Sequence, residues 1–181
     1  MENITKRNRK SIELICNAMF KLLKEKDFKS ISITELCEEA QLARKTFYRN
    51  FESKEDVIKK SIDYMFKQLG KRIKFDKNME PKKITLEYFN FWYENREFLK
   101  LILKNDLFNI LNSQYDLYIK VFRKIMCGEE EMSRELEYTI IFASGGYWNV
   151  LQHWVRKDFK DDPKDLAKMW EKHFDKIRCK V

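Results

Sequence analysis

The sequence predicts an all-α fold of about nine helices. Apolar residues recur at spacings of three and four along almost the whole chain, as across residues 58–69, and this spacing places them on one face of a helix. The 181 residues include 4 glycines and 2 prolines, which leaves few residues suited to the turns of a sheet. Pro81 and Pro163 each follow an acidic residue and precede a periodic stretch, as expected for the first position of a helix.

The apolar spacings divide the chain into successive helices without an internal repeat or a flexible linker. The helices are predicted near residues 9–26, 33–40, 44–50, 54–74, 82–93, 95–104, 107–127, 131–156 and 163–178. A chain of this length can bury a sizeable core. Its content of 44% hydrophobic and 36% charged residues is typical of a globular protein.

Several features of the sequence indicate where the protein works. No apolar run approaches the roughly 18 residues of a membrane span, and the first residues lack the apolar core of a secretory signal. The four cysteines form no C-x-x-C pair, which favours free thiols in a reducing compartment; they are Cys16, Cys37, Cys127 and Cys179. We therefore expect a cytoplasmic protein without a membrane partner.

The charge of the chain is basic and is concentrated towards the N-terminus. The 37 basic and 29 acidic side chains give a net charge of +8. Residues 1–54 contain 12 basic and 8 acidic residues, and so carry +4 of that charge. Charge alone supports nucleic-acid binding only weakly, since lysine-rich surfaces are often simply solvated.

Residues 32–50 predict two short helices joined by a tight turn. Ser32-x-x-Glu35 is a capping box, which starts a helix. Residues 41–43 interrupt the apolar periodicity, and residues 44–50 resume it. Helices of this length are unstable alone, so neighbouring helices must hold the second one while its polar side faces a partner.

The second short helix has an aromatic side and a basic side. At 100° per residue Phe47 and Phe51 lie together, and Lys45 and Arg49 lie opposite them. A helix, a three-residue turn and a basic helix with an apolar back form helix-turn-helix geometry, in which the second helix enters the major groove. A solvated basic face on a packed helix is the alternative.

This stretch resembles the DNA-binding signature of the tetracycline-repressor (TetR) family of bacterial transcription regulators. The matching residues are Ser32, Leu36, Ala40, Leu42, Thr46, Phe47, Tyr48, Phe51 and the run Ser53-Lys54-Glu55-Asp56. The resemblance is strong over about residues 9–60, and residues 142–170 are similar to the last two helices of one branch of the family. It implies a helix-turn-helix domain over residues 1–54 and a helical ligand-binding and dimerisation domain over residues 55–181.

The resemblance and the chemistry of the side chains together assign roles in DNA binding. Tyr48 and Lys54 match the family positions that hold phosphates, and both can donate to backbone oxygens. Thr34 and Arg49 are expected to make further phosphate contacts. The start of the second helix should meet base edges, where Arg or Lys favours guanine and the Thr methyl favours thymine; these residues are Arg44, Lys45 and Thr46.

The sequence departs from the family pattern around this motif. Gln41 replaces the turn glycine, at a cost of about 1 kcal/mol for a left-handed conformation. Ala43 replaces the helix-capping Ser or Thr, at a cost of about 1 kcal/mol, and Asp27 replaces a glycine. These losses weaken a docked helix without abolishing it. The basic run at residues 6–10 is interpreted either as an arm along the DNA or as a frayed tail.

The C-terminal two-thirds of the chain is rich in aromatic residues. Tyr and Trp carry polar tips that need partners, so their excess suggests a cavity, and the resemblance implies an effector pocket among the fourth to eighth helices. The predicted lining is Phe66, Phe89, Trp92, Tyr93, Tyr115, Tyr118 and Tyr147. Ordinary core packing is the alternative for each of them.

Two glycines inside the eighth predicted helix indicate a close helix contact. Each costs about 1 kcal/mol relative to Ala, and in the family the last two helices pair with those of a second subunit. The predicted dimer interface comprises Tyr138, Phe142, Gly145, Gly146, Leu151, Trp154, Leu166, Trp170 and Phe174. A hinge or a ligand-facing gap is the alternative explanation of the glycines.

An enzyme is not expected. His153 and His173 lie 20 residues apart and belong to no catalytic or metal-binding spacing, so no cofactor, metal or catalytic residue is predicted. The resemblance implies a dimeric repressor that binds a palindromic double-stranded DNA operator and is released by a small-molecule effector. The alternative is a ligand- or protein-binding module on the same fold that has lost operator binding.

Overall fold

The structure, a computed structural model, describes residues 2–73, 81–115, 118 and 133–174, with only the backbone described for residues 2–7, 81, 136, 173 and 174. Within these residues the chain is all-α, as predicted, with nine α-helices. They are α1 (Glu2–Glu25), α2 (Ile33–Glu39), α3 (Arg44–Asn50), α4 (Lys54–Ile73), α5 (Pro81–Glu94), α6 (Arg96–Lys104), α7 (residues 108–115), α8 (Arg134–Arg156) and α9 (Pro163–Phe174), with a 3-10 helix (Phe28–Ser30) before α2.

The first helix begins earlier than predicted. It starts at Glu2 rather than near residue 9, because residues 2–9 contain no Pro or Gly that would end a helix. The basic run at residues 6–10 is therefore part of α1 and not an extended arm. Several predicted helix ends lie outside the described residues: 74, 116–117, 119–127, 131–132 and 175–178.

Local signals at the helix ends act as predicted. Pro81 and Pro163 are the first residues of α5 and α9. The Asp162 carboxylate accepts a hydrogen bond of 2.7 Å from the backbone N–H of Lys164 and so caps α9. Left-handed residues follow α6 and α8, namely Asp106 (φ 56°) and Asp158 (φ 55°), and this conformation terminates a helix.

One buried core extends from the N-terminal helices to the C-terminal ones. Helix α1 packs against α2, α3, α4 and α6; α4 packs against α5, α5 against α9, and α6 against α8. The largest fully buried side chains are aromatic and occur at both ends of the core: Phe47, Phe51, Phe89, Trp92 and Trp154. The short α2 and α3 are therefore held by α1.

The thiols that the structure describes are unpaired. Cys37 is buried and Cys16 is half-buried, and burial raises the pKa of both thiols. Cys127 and Cys179 lie outside the described residues. Among the helices that the structure describes, none has the length and apolar character needed to span a bilayer.

Candidate nucleic-acid interface

Helix α2 begins with the predicted capping box. The Ser32 hydroxyl accepts a hydrogen bond of 3.2 Å from the backbone N–H of Glu35, and the Glu35 carboxylate accepts one of 2.9 Å from the backbone N–H of Ser32. The ammonium of Lys26 also pairs with Glu35. The bond from Lys26, followed by those from Ser32, lowers the pKa of Glu35 to about 2.

The turn between α2 and α3 contains two of the three departures from the family pattern, Gln41 and Ala43. Gln41 has a φ of 53°, a left-handed conformation that is unfavourable for residues with a Cβ. Ala43 is extended and supplies no side-chain bond to the start of α3. The turn nevertheless closes through a hydrogen bond of 2.9 Å from the backbone N–H of Leu42 to the carbonyl of Cys37.

Helix α3 is anchored by two phenylalanines. Phe47 and Phe51 are fully buried, with ring centroids 5.4 Å apart. The ammonium of Lys60, on α4, contacts the carbonyl of Asn50 at the end of α3 and lies 4.7 Å from the centre of the Phe51 ring. These contacts fix the direction in which the opposite side of α3 faces.

The outer side of α3 is polar and exposed. Arg44, Lys45 and Arg49 are exposed, as is Tyr48, whose hydroxyl lies 3.3 Å from a guanidinium nitrogen of Arg44. Thr46 is half-buried, and Thr34 is exposed on α2, which packs against α3. Among the described residues, the ammonium of Lys45 meets no acceptor within hydrogen-bonding distance. Three cations on one exposed, anchored face can approach a polyanion.

Lys54, for which a phosphate contact is predicted, makes contacts within the chain. Its ammonium donates to the carbonyls of Phe28, Lys29 and Ile31 at 2.8, 3.0 and 3.0 Å, and lies 4.6 Å from the centre of the Phe28 ring. All three N–H groups of the ammonium are therefore used within the chain. Lys54 caps the 3-10 helix, a role that depends on the three-dimensional position of α4 and has no local signal in the sequence.

Most of the predicted pocket residues lie together in an aromatic cluster. The Phe66 ring centroid lies 4.6 Å from that of Tyr118, 5.6 Å from that of Trp92 and 6.0 Å from that of Tyr115. The rings of Phe89 and Tyr147 lie 6.1 Å apart. The polar tips find partners, since the Tyr118 hydroxyl donates to Asp63, the Tyr115 hydroxyl donates to the carbonyl of Ser144, and the hydroxyls of Tyr147 and Thr85 share a hydrogen bond.

Tyr93 and Tyr88 differ from the predicted lining. Tyr93 is 36% exposed and stacks on Trp154 at 5.8 Å, with the Arg96 guanidinium 4.8 Å from its ring centre. It therefore lies at the outer edge rather than within the cluster. Tyr88 was not predicted to line the pocket, although it lies one helical turn before Trp92; it is 7% exposed, and its ring contacts that of Tyr147 at 4.9 Å.

The predicted interface residues separate into exposed and buried sets. Tyr138 and Phe142, on α8, are 59% and 60% exposed, and nothing lies within 4 Å of the position that a Cβ of Gly145 would occupy. Three other residues of the predicted interface are buried within the chain. These are Leu151, Trp154 and Leu166.

Gly146 serves contacts within the chain. A Cβ at this position would lie 2.5 Å from the Trp170 ring, and Trp170 stacks on Tyr147 with centroids 4.1 Å apart. The glycine therefore allows α9 to approach α8 of the same chain. Trp170 is half-buried by this contact, and the side chain of Phe174 lies outside the described residues.

Comparisons with known proteins agree with this architecture. The family model for bacterial regulatory proteins of the tetR family matches residues 15–60, and that for a transcriptional regulator C-terminal region matches residues 79–176. A curated relative, the "Uncharacterized HTH-type transcriptional regulator YxbF" of Bacillus subtilis, is 22% identical over 165 residues. That match covers 85% of this chain but 42% of the relative, so the chain spans less than half of its length.

Solved structures share the fold at low sequence identity. Lin0861 from Listeria innocua superposes with a TM-score of 0.75 at 16% identity, covering 95% of this chain and 93% of that one. FadR from Bacillus subtilis, solved in complex with stearoyl-CoA, superposes with a TM-score of 0.58 at 17% identity, covering 87% of this chain and 94% of that one. Because the regulator models match both the helix-turn-helix and more than half of the whole sequence, the chain belongs to the TetR family of bacterial transcriptional regulators.

Proposed function

We propose that the chain is a homodimeric repressor that binds a palindromic DNA operator through α3 and is released by a small-molecule effector. The observation that supports this proposal best is the exposed cationic side of α3 on a helix fixed by Phe47 and Phe51. Lys45 and Arg49 would neutralise phosphates or meet base edges. Residues 1–54 would hold the DNA-binding function, and residues 55–181 the ligand-binding and dimerisation functions.

Dimerisation is supported by an exposed apolar strip on α8. Tyr138, Ile141 and Phe142 are each more than half exposed, and Gly145 follows one turn later on the same side. Adjacent exposed apolar side chains are unfavourable in water and mark interaction surfaces. A symmetric pair of chains would present two copies of α3 to two half-sites of a palindrome, about 34–36 Å apart or a multiple of that distance.

The aromatic cluster supports an effector site. FadR from Bacillus subtilis, which shares the fold, was solved with stearoyl-CoA. An effector changes DNA binding only if it binds the two states with different affinity. We propose that binding of the effector releases the protein from DNA.

A DNA shift assay on the region upstream of the gene tests the proposal. Wild-type protein should retard this DNA in a salt-dependent manner, and Arg49→Ala should bind more weakly. Lys71→Ala is the matched control, since Lys71 is exposed at the far end of α4, and it should bind as the wild type does. A folded protein that retards neither this DNA nor a genomic operator library would contradict the proposal and favour the alternative of a binding module without DNA recognition.

A further inference from the structure

Arg44 differs from the other two cations on the outer side of α3 because it has a partner on its own helix. A guanidinium nitrogen of Arg44 donates a hydrogen bond of 3.3 Å to the hydroxyl oxygen of Tyr48. The guanidinium carbon also lies 5.9 Å from the centre of the Tyr48 ring. The two residues are four apart and therefore face the same side of the helix. Within the described residues, Lys45 and Arg49 have no such side-chain partner.

The ring of Tyr48 is in turn held by the core. Its centroid lies 5.4 Å from that of Phe47, and the two ring planes are 86° apart. Phe47 is fully buried, whereas Tyr48 is 53% exposed. The hydrogen bond with Tyr48 raises the pKa of Arg44, and no carboxylate of the described chain contributes to that rise. Tyr48 therefore links the buried side of α3 to a guanidinium for which no acidic residue competes.

A phenol hydroxyl can make a second hydrogen bond while it accepts the first. Its oxygen accepts, and its own O–H donates to another acceptor. Because Tyr48 uses its oxygen for Arg44, its O–H is left to donate to a DNA phosphate, the contact predicted for it from the sequence. Hydrogen bonds in series polarise and strengthen one another. The guanidinium has five N–H groups, so a bond to Tyr48 leaves others for a base edge.

A braced arginine is better suited to base reading than a free one. A free side chain loses rotamer freedom when it is fixed on a base, and a braced one has lost part of that freedom beforehand. Arg44 is the first residue of α3, and the first residues of a reading helix are those that meet base edges. The O6 and N7 atoms of guanine match the fork of a guanidinium.

We propose that Tyr48 is a positioning residue for base reading, which donates to a DNA phosphate, accepts from Arg44 and so directs the Arg44 guanidinium to a guanine in each half-site. This inference rests on the proposed DNA-binding function of α3. The phosphate contact that sets the register of α3 then also sets the orientation of the side chain that reads the base. Loss of the hydroxyl alone therefore relaxes the preference at one base pair of each half-site.

Fluorescence anisotropy with duplexes that the wild type selects from a randomised library tests the inference. Discrimination at a base pair is the ratio of Kd for a duplex substituted there to Kd for the selected duplex. The base pair read by Arg44 is the one at which Arg44→Ala abolishes a discrimination of about 5- to 150-fold. Tyr48→Phe keeps the ring on Phe47 and should reduce discrimination about threefold or more there, and less than about twofold elsewhere. Tyr64→Phe, which removes a phenol hydroxyl that is also exposed, is the matched control and should keep it.

Other outcomes would overturn the inference. If Tyr48→Phe weakens binding to all duplexes alike, the hydroxyl holds a phosphate and does not position Arg44. A loss of discrimination at every base pair would assign the effect to a general loosening of α3. Unchanged binding of Tyr48→Phe, or base preferences that all survive Arg44→Ala, would also exclude the proposed role. A wild type that binds DNA without base preference fails only this inference, whereas one that binds no duplex fails the proposed function and this inference together.

Discussion

The backbone N–H of Phe28 donates a hydrogen bond of 2.7 Å to the side-chain oxygen of Asn105, 77 positions later in the chain. Asn105 follows the last residue of α6, and its side-chain nitrogen donates to the carbonyl of Leu101 at 2.9 Å. Phe28 begins the 3-10 helix that leads into α2. One side chain therefore links the end of α6 to the segment that positions the helix-turn-helix.

Loss of this link should loosen the N-terminal helices. Asn105→Ala leaves the Phe28 N–H without its acceptor, which costs about 1–3 kcal/mol of stability. We expect faster hydrogen exchange at the Phe28 amide and weaker operator binding, because the position of α2 and α3 is less fixed. Asn105→Asp retains an acceptor and should keep the protection of this amide. Unchanged exchange at Phe28 in Asn105→Ala would contradict the link.

Substitutions of Lys54 and Lys45 should affect different properties, the first stability and the second DNA binding. Lys54→Met removes an ammonium that three carbonyls accept, and should lower the free energy of unfolding by about 1–3 kcal/mol with little change in the salt dependence of DNA binding. Lys45→Met removes an exposed cation and should leave stability within about 0.5 kcal/mol. It should flatten the salt slope by up to about 0.9 per subunit. Urea denaturation and binding at several salt concentrations measure both effects; the reverse pattern would identify Lys54 as a phosphate contact.

The lowered pKa of Glu35 predicts that α2 loses stability in acid. Its pKa is lowered to about 2 from an ordinary value near 4.5, so its contribution to stability is complete above pH 4.5 and is lost as the pH falls towards 2. Thermal unfolding followed by circular dichroism at pH 5 and pH 2.5 should show a fall in the melting temperature. Glu35→Gln, which cannot titrate, should show a smaller fall between these two pH values. An identical fall in the two proteins would assign the acid sensitivity to other groups.

Local sequence signals predicted much of the fold. The capping box at Ser32 and Glu35, the prolines that begin α5 and α9, and the aromatic back of α3 depend on residues at most four apart. Such interactions can be inferred from spacing because a helix fixes the positions of near neighbours. The left-handed conformation of Gln41 was expected instead from the family resemblance, since Gln41 stands where the family pattern has a turn glycine.

Interactions between distant segments could not be predicted in this way. Lys54 donates to carbonyls more than twenty residues earlier in the chain, and Gly146 accommodates a ring from α9. Apolar spacing identifies the buried side of α8 but not the surface that covers it. Trp154 was therefore assigned to an interface, although it is covered by the chain itself and donates to the carbonyl of Asp161 at 3.0 Å.

The two adjacent glycines of α8 should respond in opposite ways to substitution. In Gly146→Ala the new methyl group would lie 2.5 Å from the Trp170 ring, which the stack on Tyr147 restrains. Overpacking of this kind costs about 1–3 kcal/mol. In Gly145→Ala nothing lies within 4 Å of the new methyl group, so the better helix propensity of Ala should stabilise the isolated chain by about 0.5–1 kcal/mol.

Larger substitutions at the same two positions distinguish assembly from folding. Gly145→Leu adds bulk to the exposed side that also carries Phe142, and should shift a dimer towards monomer in sedimentation velocity while the monomer stays folded. Gly146→Leu should instead unfold the contact between α8 and α9 at every protein concentration. Urea denaturation at low and high protein concentration separates the two effects, because only the dimer contribution depends on concentration. If wild type and Gly145→Leu sediment alike as monomers at micromolar concentration, the exposed strip on α8 is not a dimer interface.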